Sequence, residues 1–266
     1  MRTAIFSDVH GNLTALEAVL DDIARQAPDL TLFAGDLCVF GTRPAECVQR
    51  FRKEKISSIR GDTDEWISNQ PLLSGDIQAE ERKRKQDVDS AADWAWAQLD
   101  EMDRAWLRTL PFHRRISPTP HPKDDLFVVH ANPRDINRPI LPPKPLQKNL
   151  YGEVKQPDDA LRPLLEGQFL GTLAFGHIHV PSIRYWKKLT LANISSVSLP
   201  QDGDVRAKYG LFTWKDRGGW VIEHRYVSYD IDAEVVLLNR MKPPKWQALS
   251  QRLQTANTGN LDLTER

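Results

Sequence analysis

The sequence predicts an α/β protein, and two observations carry that expectation. Through the first 60 residues, short apolar segments alternate with amphipathic helical ones, the pattern of β-α units on a largely parallel sheet buried on both faces. Between residues 170 and 228 short strands follow one another closely, which predicts a second, more antiparallel sheet.

Arg2–Ser7 reads as the first strand, after which Leu13, Leu16, Val19, Leu20 and Ile23 recur at helical spacing. A second round follows, with strand at Leu30–Ala34, loop at Gly35–Arg43, helix at Pro44–Lys53 and strand at Ile56–Arg60. Residues 67–111 read as an insertion between core strands. Within it, Glu80–Asp87 mixes both charges as a solvated helix face does, and Ser90–Leu110 predicts one helix with Ala95, Leu99, Met102 and Trp106 on one stripe. Its tryptophans read as packing residues.

Leu126–Val129 is the next buried strand. Ala131–Pro157 then carries six prolines and five basic against two acidic side chains, and reads as a long irregular loop beside a binding site. The remaining strands are expected at Leu170–Phe175, Ser182–Trp186, Thr190–Asn193, Tyr209–Trp214 and Trp220–Ser228. Ala233–Leu253 reads as a closing helix interrupted by Pro243 and Pro244. The expected organisation is one domain over residues 1–232, a helical extension over 233–256 and a flexible tail over 257–266.

Composition narrows the class. The 266 residues are 40% hydrophobic, enough for a sizeable core, and the 36 basic and 36 acidic side chains cancel, which speaks against stable nucleic-acid binding. No apolar run approaches the roughly 18 residues that span a bilayer, and Met1–Phe6 leads into a carboxylate instead of a signal-peptide core. No membrane partner and a cytoplasmic location are therefore expected. Cys38 and Cys47 make neither a disulfide framework nor a zinc motif and read as reduced structural residues.

The chemistry sits where apolar strands end. Asp8 and His10 follow the first strand, and alternation along an extended segment would point both the same way. Asp36 ends the second strand, Asp62 follows the third, His130 ends the fourth, and His177 and His179 end the fifth. Ligands of α/β sheets gather beyond the carboxyl ends of the strands, so seven such groups can converge on one crevice. Any one of them alone would read as a cap, a turn former or a core histidine. Together they read as a metal centre, and the mix of carboxylate and imidazole suits manganese, iron or zinc better than calcium or magnesium. His113, His121 and His224 fall outside the pattern and read as surface or structural.

Taken in order, Ser7-Asp8-Val9-His10-Gly11-Asn12, Gly35-Asp36 through Gly41, Gly61-Asp62-Thr63-Asp64, His130 and Gly176-His177-Ile178-His179 resemble the signature of the calcineurin-like metallophosphoesterases. Asp202-Gly203-Asp204 and Arg206–Gly210 resemble the C-terminal strands of small bacterial phosphodiesterases. The resemblance implies a four-layer α-β-β-α sandwich of two mixed sheets with flanking helices. It also implies two divalent transition metals, manganese first, with iron, zinc or nickel as alternatives. Asp8, His10 and His179 would hold one metal and His130 and His177 the other, with Asp36 bridging and Asp62 a further metal ligand. The implied reaction is attack of a metal-bridging hydroxide on phosphorus, and the implied partner is a small phosphate ester, nucleotides included.

Two positions depart from the family pattern. Asp62 stands where asparagine is usual, which adds a negative charge, and Thr63 stands where many members have a histidine that protonates the leaving group. Asp64 becomes the candidate catalytic proton donor, with Asn12, Thr63 and Arg134 as candidate substrate-binding residues. Without the histidine, diesters and good leaving groups are favoured, so the expected activity is a phosphodiesterase. The alternatives are a phosphomonoesterase, such as a protein phosphatase or dinucleoside polyphosphate hydrolase, and a binding scaffold of the same fold with little catalysis.

Overall fold

The computed structural model describes residues 1–68, 90–168 and 171–257. The charged run Glu80–Asp87 and all but the first residue of the expected tail lie outside the described residues. The chain begins with β1 (Arg2–Phe6), α1 (Leu13–Gln26), β2 (Leu30–Phe33), α2 (Pro44–Glu54), β3 (Ser57–Ser58) and α3 (Asp62–Ser68). The Asn12 side chain caps α1 by accepting from the Ala15 amide, and Pro44 opens α2, where its missing N–H costs nothing. Residues 90–98 are helical (α4), and α5 (Glu101–Arg108) follows. The single helix expected over Ser90–Leu110 is thus two. Asp100 breaks it by capping a new start, accepting from the Asp103 amide at 2.7 Å, and Met102 faces solvent.

β4 (His113–Ile116) and β5 (Leu126–Val129) come next, then α6 (Lys144–Tyr151), α7 (Arg162–Leu165) and β6 (Thr172–Phe175). The loop expected over Ala131–Pro157 therefore contains a helix, with Pro143 and Pro145 at its start, where a missing N–H is tolerated. The chain closes with β7 (Ser182–Trp186), β8 (Leu189–Asn193), β9 (Ala207–Lys215), β10 (Gly219–Val227), α8 (Ile231–Met241) and α9 (Trp246–Thr255). Among the described residues no helix is long and apolar enough to cross a membrane.

Two mixed five-stranded sheets result, ordered β10-β9-β1-β2-β3 and β4-β5-β6-β8-β7. This corrects the expected grouping, because β9 and β10 return to the first sheet, where β9 pairs antiparallel with β1. The reason lies in burial. Tyr209 and Leu211 face the helices while Phe212 faces the other sheet, and a strand buried on both faces belongs in a sheet interior.

Strand alternation builds the four layers. Ile5, Leu32, Leu126, Val128, Ala174, Ala192 and Phe212 meet between the sheets. Their neighbours point outward: Ala4, Phe6 and Phe33 pack under α1, α2 and α5, and Phe127, Val129, Leu173 and Phe175 pack under α7. Trp94, Trp96 and Trp106 pack against the first of these outer cores. Each buried aliphatic or aromatic side chain contributes on the order of 2 kcal/mol.

One polar contact ties α1 to the far strands. The Tyr209 hydroxyl donates to Asp22 Oδ2 at 2.8 Å, and the Arg225 guanidinium lies 3.3 Å from the same oxygen. Burial pushes the Asp22 carboxyl up, but Tyr209 and Arg225 outweigh it and hold the group below its ordinary value of 3.8. A lowered folded-state value means a contribution fully present above the unfolded value and lost as the pH falls through the folded one. Tyr209→Phe is therefore expected to cost about 1 kcal/mol near neutral pH. Urea unfolding at pH 7 and below pH 3 should show a gap between variant and parent that narrows in acid.

Candidate metal centre

The seven strand-end side chains converge beyond the carboxyl edges of both sheets. β1, β2 and β3 of the first sheet deliver Asp8, His10, Asp36 and Asp62, and β5 and β6 of the second deliver His130, His177 and His179. All seven are buried. Two triads form, Asp8-His10-His179 and Asp62-His130-His177, and Asp8, Asp36 and His130 make a third grouping between them. Asp36 spans the pair, with Oδ2 at 3.8 Å from His10 Nε2 and Oδ1 at 3.6 Å from His130 Nε2. Asp62 Oδ1 lies 2.8 Å from His130 Nε2 and 3.1 Å from His177 Nδ1.

The convergence does not come from extended-strand alternation. Asp8, His10, Asp36, His177 and His179 all have left-handed backbone, with φ of 58°, 48°, 67°, 69° and 59°. Each turn costs about 1 kcal/mol for a residue with a Cβ. Such a turn folds a strand end back so that side chains two apart face one point while Val9 and Ile178 between them go to apolar clusters. Two glycines make room. A Cβ on Gly61 would lie 2.1 Å from Asp36 Oδ1, and one on Gly176 would lie 2.3 Å from Asp8 Oδ2.

Three imidazoles are oriented by backbone carbonyls. His10, His130 and His179 turn Nδ1 to the oxygens of Val39, Ala34 and Leu199 at 3.0, 2.9 and 2.7 Å. A carbonyl only accepts, so Nδ1 carries the proton and Nε2 offers a lone pair to the cluster. His10 Nε2 then lies 3.2 Å from His179 Nε2, and His130 Nε2 lies 3.2 Å from His177 Nδ1. The facing Nε2 lone pairs of His10 and His179 repel, and a cation between them turns the repulsion into coordination. The donor set therefore fits a divalent cation at each triad.

The charges point the same way. Burial would raise all three carboxyls; His179 outweighs it at Asp8, and His177 and His130 outweigh it at Asp62, so both stay below the ordinary range. Asp36 goes the other way, pushed well up by burial and by the neighbouring Asp62 and Asp8. Burial lowers His130, yet Asp36 and Asp62 lift it well above the ordinary imidazole value. The cluster is short of positive charge.

The expected catalytic and substrate residues are placed differently. Asp64 is fully buried, and its carboxylate accepts from the amides of Asp36, Leu37 and Gly61 at 2.8, 2.9 and 2.9 Å. With both oxygens accepting, it braces the Asp36 turn, and burial pushes its carboxyl above the ordinary value against the lowering effect of those amides. The side-chain oxygen of Asn12 accepts from the Ala15 amide, and its NH2 donates to the Ser198 hydroxyl at 3.2 Å. Arg134 is exposed and donates to the Glu166 carbonyl. Thr63 is at the centre: its amide donates to Asp36 Oδ1 at 3.0 Å and its buried hydroxyl has no protein partner.

Sequence reasoning missed the segment 193–201, which supports the site from below. The Ser196 hydroxyl and Ser198 amide donate to the Asp8 carbonyl, and the Ser195 hydroxyl and Gln201 amide donate to that of His179. Its serines follow the end of β8, but they carry neither charge nor imidazole to mark them as part of a metal site.

Asp64→Asn is expected to cost about 2–3 kcal/mol, because one of its two carboxylate acceptors becomes a donor facing buried amides. Urea unfolding of the metal-free protein checks it. The basic limb of the pH-rate profile should stay in place.

Comparison with known proteins agrees with this geometry. Residues 1–217 match the model of the calcineurin-like phosphoesterase superfamily domain. An uncharacterized protein of Methanocaldococcus jannaschii is 29% identical over 262 residues, covering 94% of this chain and 96% of its own. A metallophosphoesterase from Sphaerobacter thermophilus is 24% identical with a TM-score of 0.67, covering 96% of this chain and 99% of its own. A hypothetical protein from Pyrococcus horikoshii OT3 is 18% identical with a TM-score of 0.73, covering 97% and 99%. These two structures share the fold. With its family model matched across both triads, the chain belongs to the calcineurin-like phosphoesterase superfamily.

Proposed function

We propose that the protein is a phosphodiesterase that works with two divalent transition metals. Asp8, His10 and His179 would hold one, His130, His177 and Asp62 the other, and Asp36 would bridge them. Manganese is the first candidate. Bound there, the pair would act as Lewis acids toward water and toward a phosphoryl oxygen. Asp36 supplies one oxygen to each side and so fixes the separation of the triads. Asp64 and Thr63 in turn hold Asp36 through the amide contacts described above. The buried apolar core behind the cluster excludes bulk water from the ligand side. The Thr63 hydroxyl, unpaired in the protein, is the candidate hydrogen-bonding contact for substrate.

The preference for diesters rests on one observation. Among the described residues, every histidine outside the two triads is elsewhere: His113 and His121 are exposed, and His224 is bonded to the Asn193 carbonyl at 2.7 Å. No spare imidazole serves as an acid for a poor leaving group, and Asp64 is spent on amides. Alkyl monoesters suffer most from that lack. A screen of manganese, nickel, zinc, iron and magnesium against aryl diesters, aryl monoesters, cyclic nucleotides and dinucleoside polyphosphates tests the reading. Turnover of alkyl monoesters above that of aryl diesters would replace it with the phosphomonoesterase.

Asp36→Ala is expected to abolish turnover while leaving the far-ultraviolet circular dichroism close to that of the parent. Asp62→Asn should act in the opposite direction. Three carboxylates against two divalent cations leave a net charge of +1, and the amide leaves +2. The nucleophilic water then loses its proton at lower pH. At saturating manganese, turnover of an aryl diester should rise and the acidic limb of the pH-rate profile should shift down. A slower variant with an unmoved limb would assign Asp62 a base or substrate-contact role.

A further inference from the structure

The two triads differ in what orients them. The carbonyl that fixes His130 is Ala34 O, at the end of β2 and inside the inter-sheet core. The carbonyls that fix His10 and His179 belong to Val39 and Leu199, and both lie in segments covered by the C-terminal helices. Leu199 packs with Leu238 of α8 and with Leu249 and Leu253 of α9, and Phe40 packs against the same cluster. The Phe40 ring lies 5.5 Å from that of His10, on left-handed backbone with φ 89°. A small cavity joins the two parts, lined by His10 and Asn12 on one side and by Glu234, Leu238, Leu249 and Leu253 on the other.

A buried charge fastens the arrangement. Glu234 of α8 is 1% exposed. One carboxylate oxygen accepts from the Thr42 hydroxyl, and the other accepts from Thr14 at 2.9 Å and from the Arg43 guanidinium at 2.8 Å. Thr42 and Arg43 end the loop that carries Val39 and Phe40, and Thr14 lies in the first turn of α1, just after His10. A carboxylate buried this deeply is stable only when paired, so its three partners are held as firmly as it is. None of the residues that orient His130 or His177 belongs to this assembly.

We infer that α8 and α9 are a positioning device for the Asp8-His10-His179 metal site alone, with Glu234 and Leu238 as its positioning residues. Residues beyond 217, outside the matched family domain, thus set the affinity of one metal of the pair and leave the other untouched. Partners that orient metal-bound imidazoles are worth about tenfold to a hundredfold in metal affinity.

The inference rests on the metal-centre reading, and the test separates the two. Manganese(II) is titrated calorimetrically into the parent, Glu234→Gln, Leu238→Ala and the control Leu164→Ala, whose leucine is equally buried in the other outer layer. The parent should show two sites. Glu234→Gln and Leu238→Ala should each weaken one of them about tenfold or more and leave the second at the parental value, while Leu164→Ala should move neither. Long-range ¹H–¹⁵N spectra of the metal-free proteins assign the affected site: the ring nitrogens of His10 and His179 should shift, and those of His130 should not. Glu234→Gln keeps the shape of the side chain, so it reports even if Leu238→Ala fails to fold. Equal weakening of both sites, or spectra and affinities no different from Leu164→Ala, would overturn the inference alone. A parent that takes up no manganese would overturn the metal-centre reading and this inference with it.

Discussion

Left-handed backbone at five of the seven converging side chains is the constraint on which the rest of the structure depends. A Cβ makes that conformation unfavourable, and five such turns together cost on the order of 5 kcal/mol, a large part of a typical domain's net stability. They persist because the chain is bonded on both sides of each. The amides of Asp8, His10 and Gly11 donate to the carbonyls of Gly35, Asp36 and Leu37, which zips the β1 and β2 ends together. Gly176 N donates to His130 O in the second sheet, and His177 N reaches across to Asp8 Oδ2 at 3.2 Å. The strand ends are fixed by one another before any side chain meets a ligand.

That preorganisation makes an electrostatic problem that a cation resolves. Three carboxylates and four imidazoles are buried together, and the backbone holds three of the rings with their lone pairs inward. Charge in a protein interior must be paired. The crowding shows at Asp36, which burial and the neighbouring Asp62 and Asp8 push well up, and at His130, which Asp36 and Asp62 lift above the ordinary imidazole value. A cation that bound the folded chain and not the unfolded one would add stability that grows with the logarithm of its free concentration above the dissociation constant. Metal uptake at these seven side chains would therefore be linked to folding.

What the sequence made legible was the set of strand ends, because most of the candidate ligands follow an apolar run within a few residues, and a carboxylate or imidazole carried into the interior by a buried strand is costly unless a partner meets it there. What it concealed was everything that holds those ends. Asp64 sits in the same Gly-Asp-Thr-Asp run as Asp62 and reads as chemistry, yet its oxygens are consumed by three amides. Asn12 reads as a substrate contact and is a helix cap. The partition of strands was hidden for a similar reason: β9 and β10 look like continuations of β7 and β8, and only pairing partners distant in sequence send them back to β1. β4 was invisible because His113, Arg114 and Arg115 are exposed on an edge strand, where charge is favoured and alternation of apolar residues is lost.

The return of β9 to the side of β1 has a further structural consequence. Had the five late strands formed their own sheet, the chain would have left the molecule on the side of the second sheet. With β9 between β1 and the edge strand β10 of the first sheet, the chain emerges beside α1, and α8 can place Glu234 against Thr14, Thr42 and Arg43. The first triad is thus enclosed by sequence from both ends of the chain, Asp8 and His10 from one and the helices after residue 230 from the other. The second triad is built from interior segments, β2, β3, β5 and β6. Because the two halves of one centre draw their support from different parts of the chain, a change at the C-terminal helices reaches one half without passing through the other.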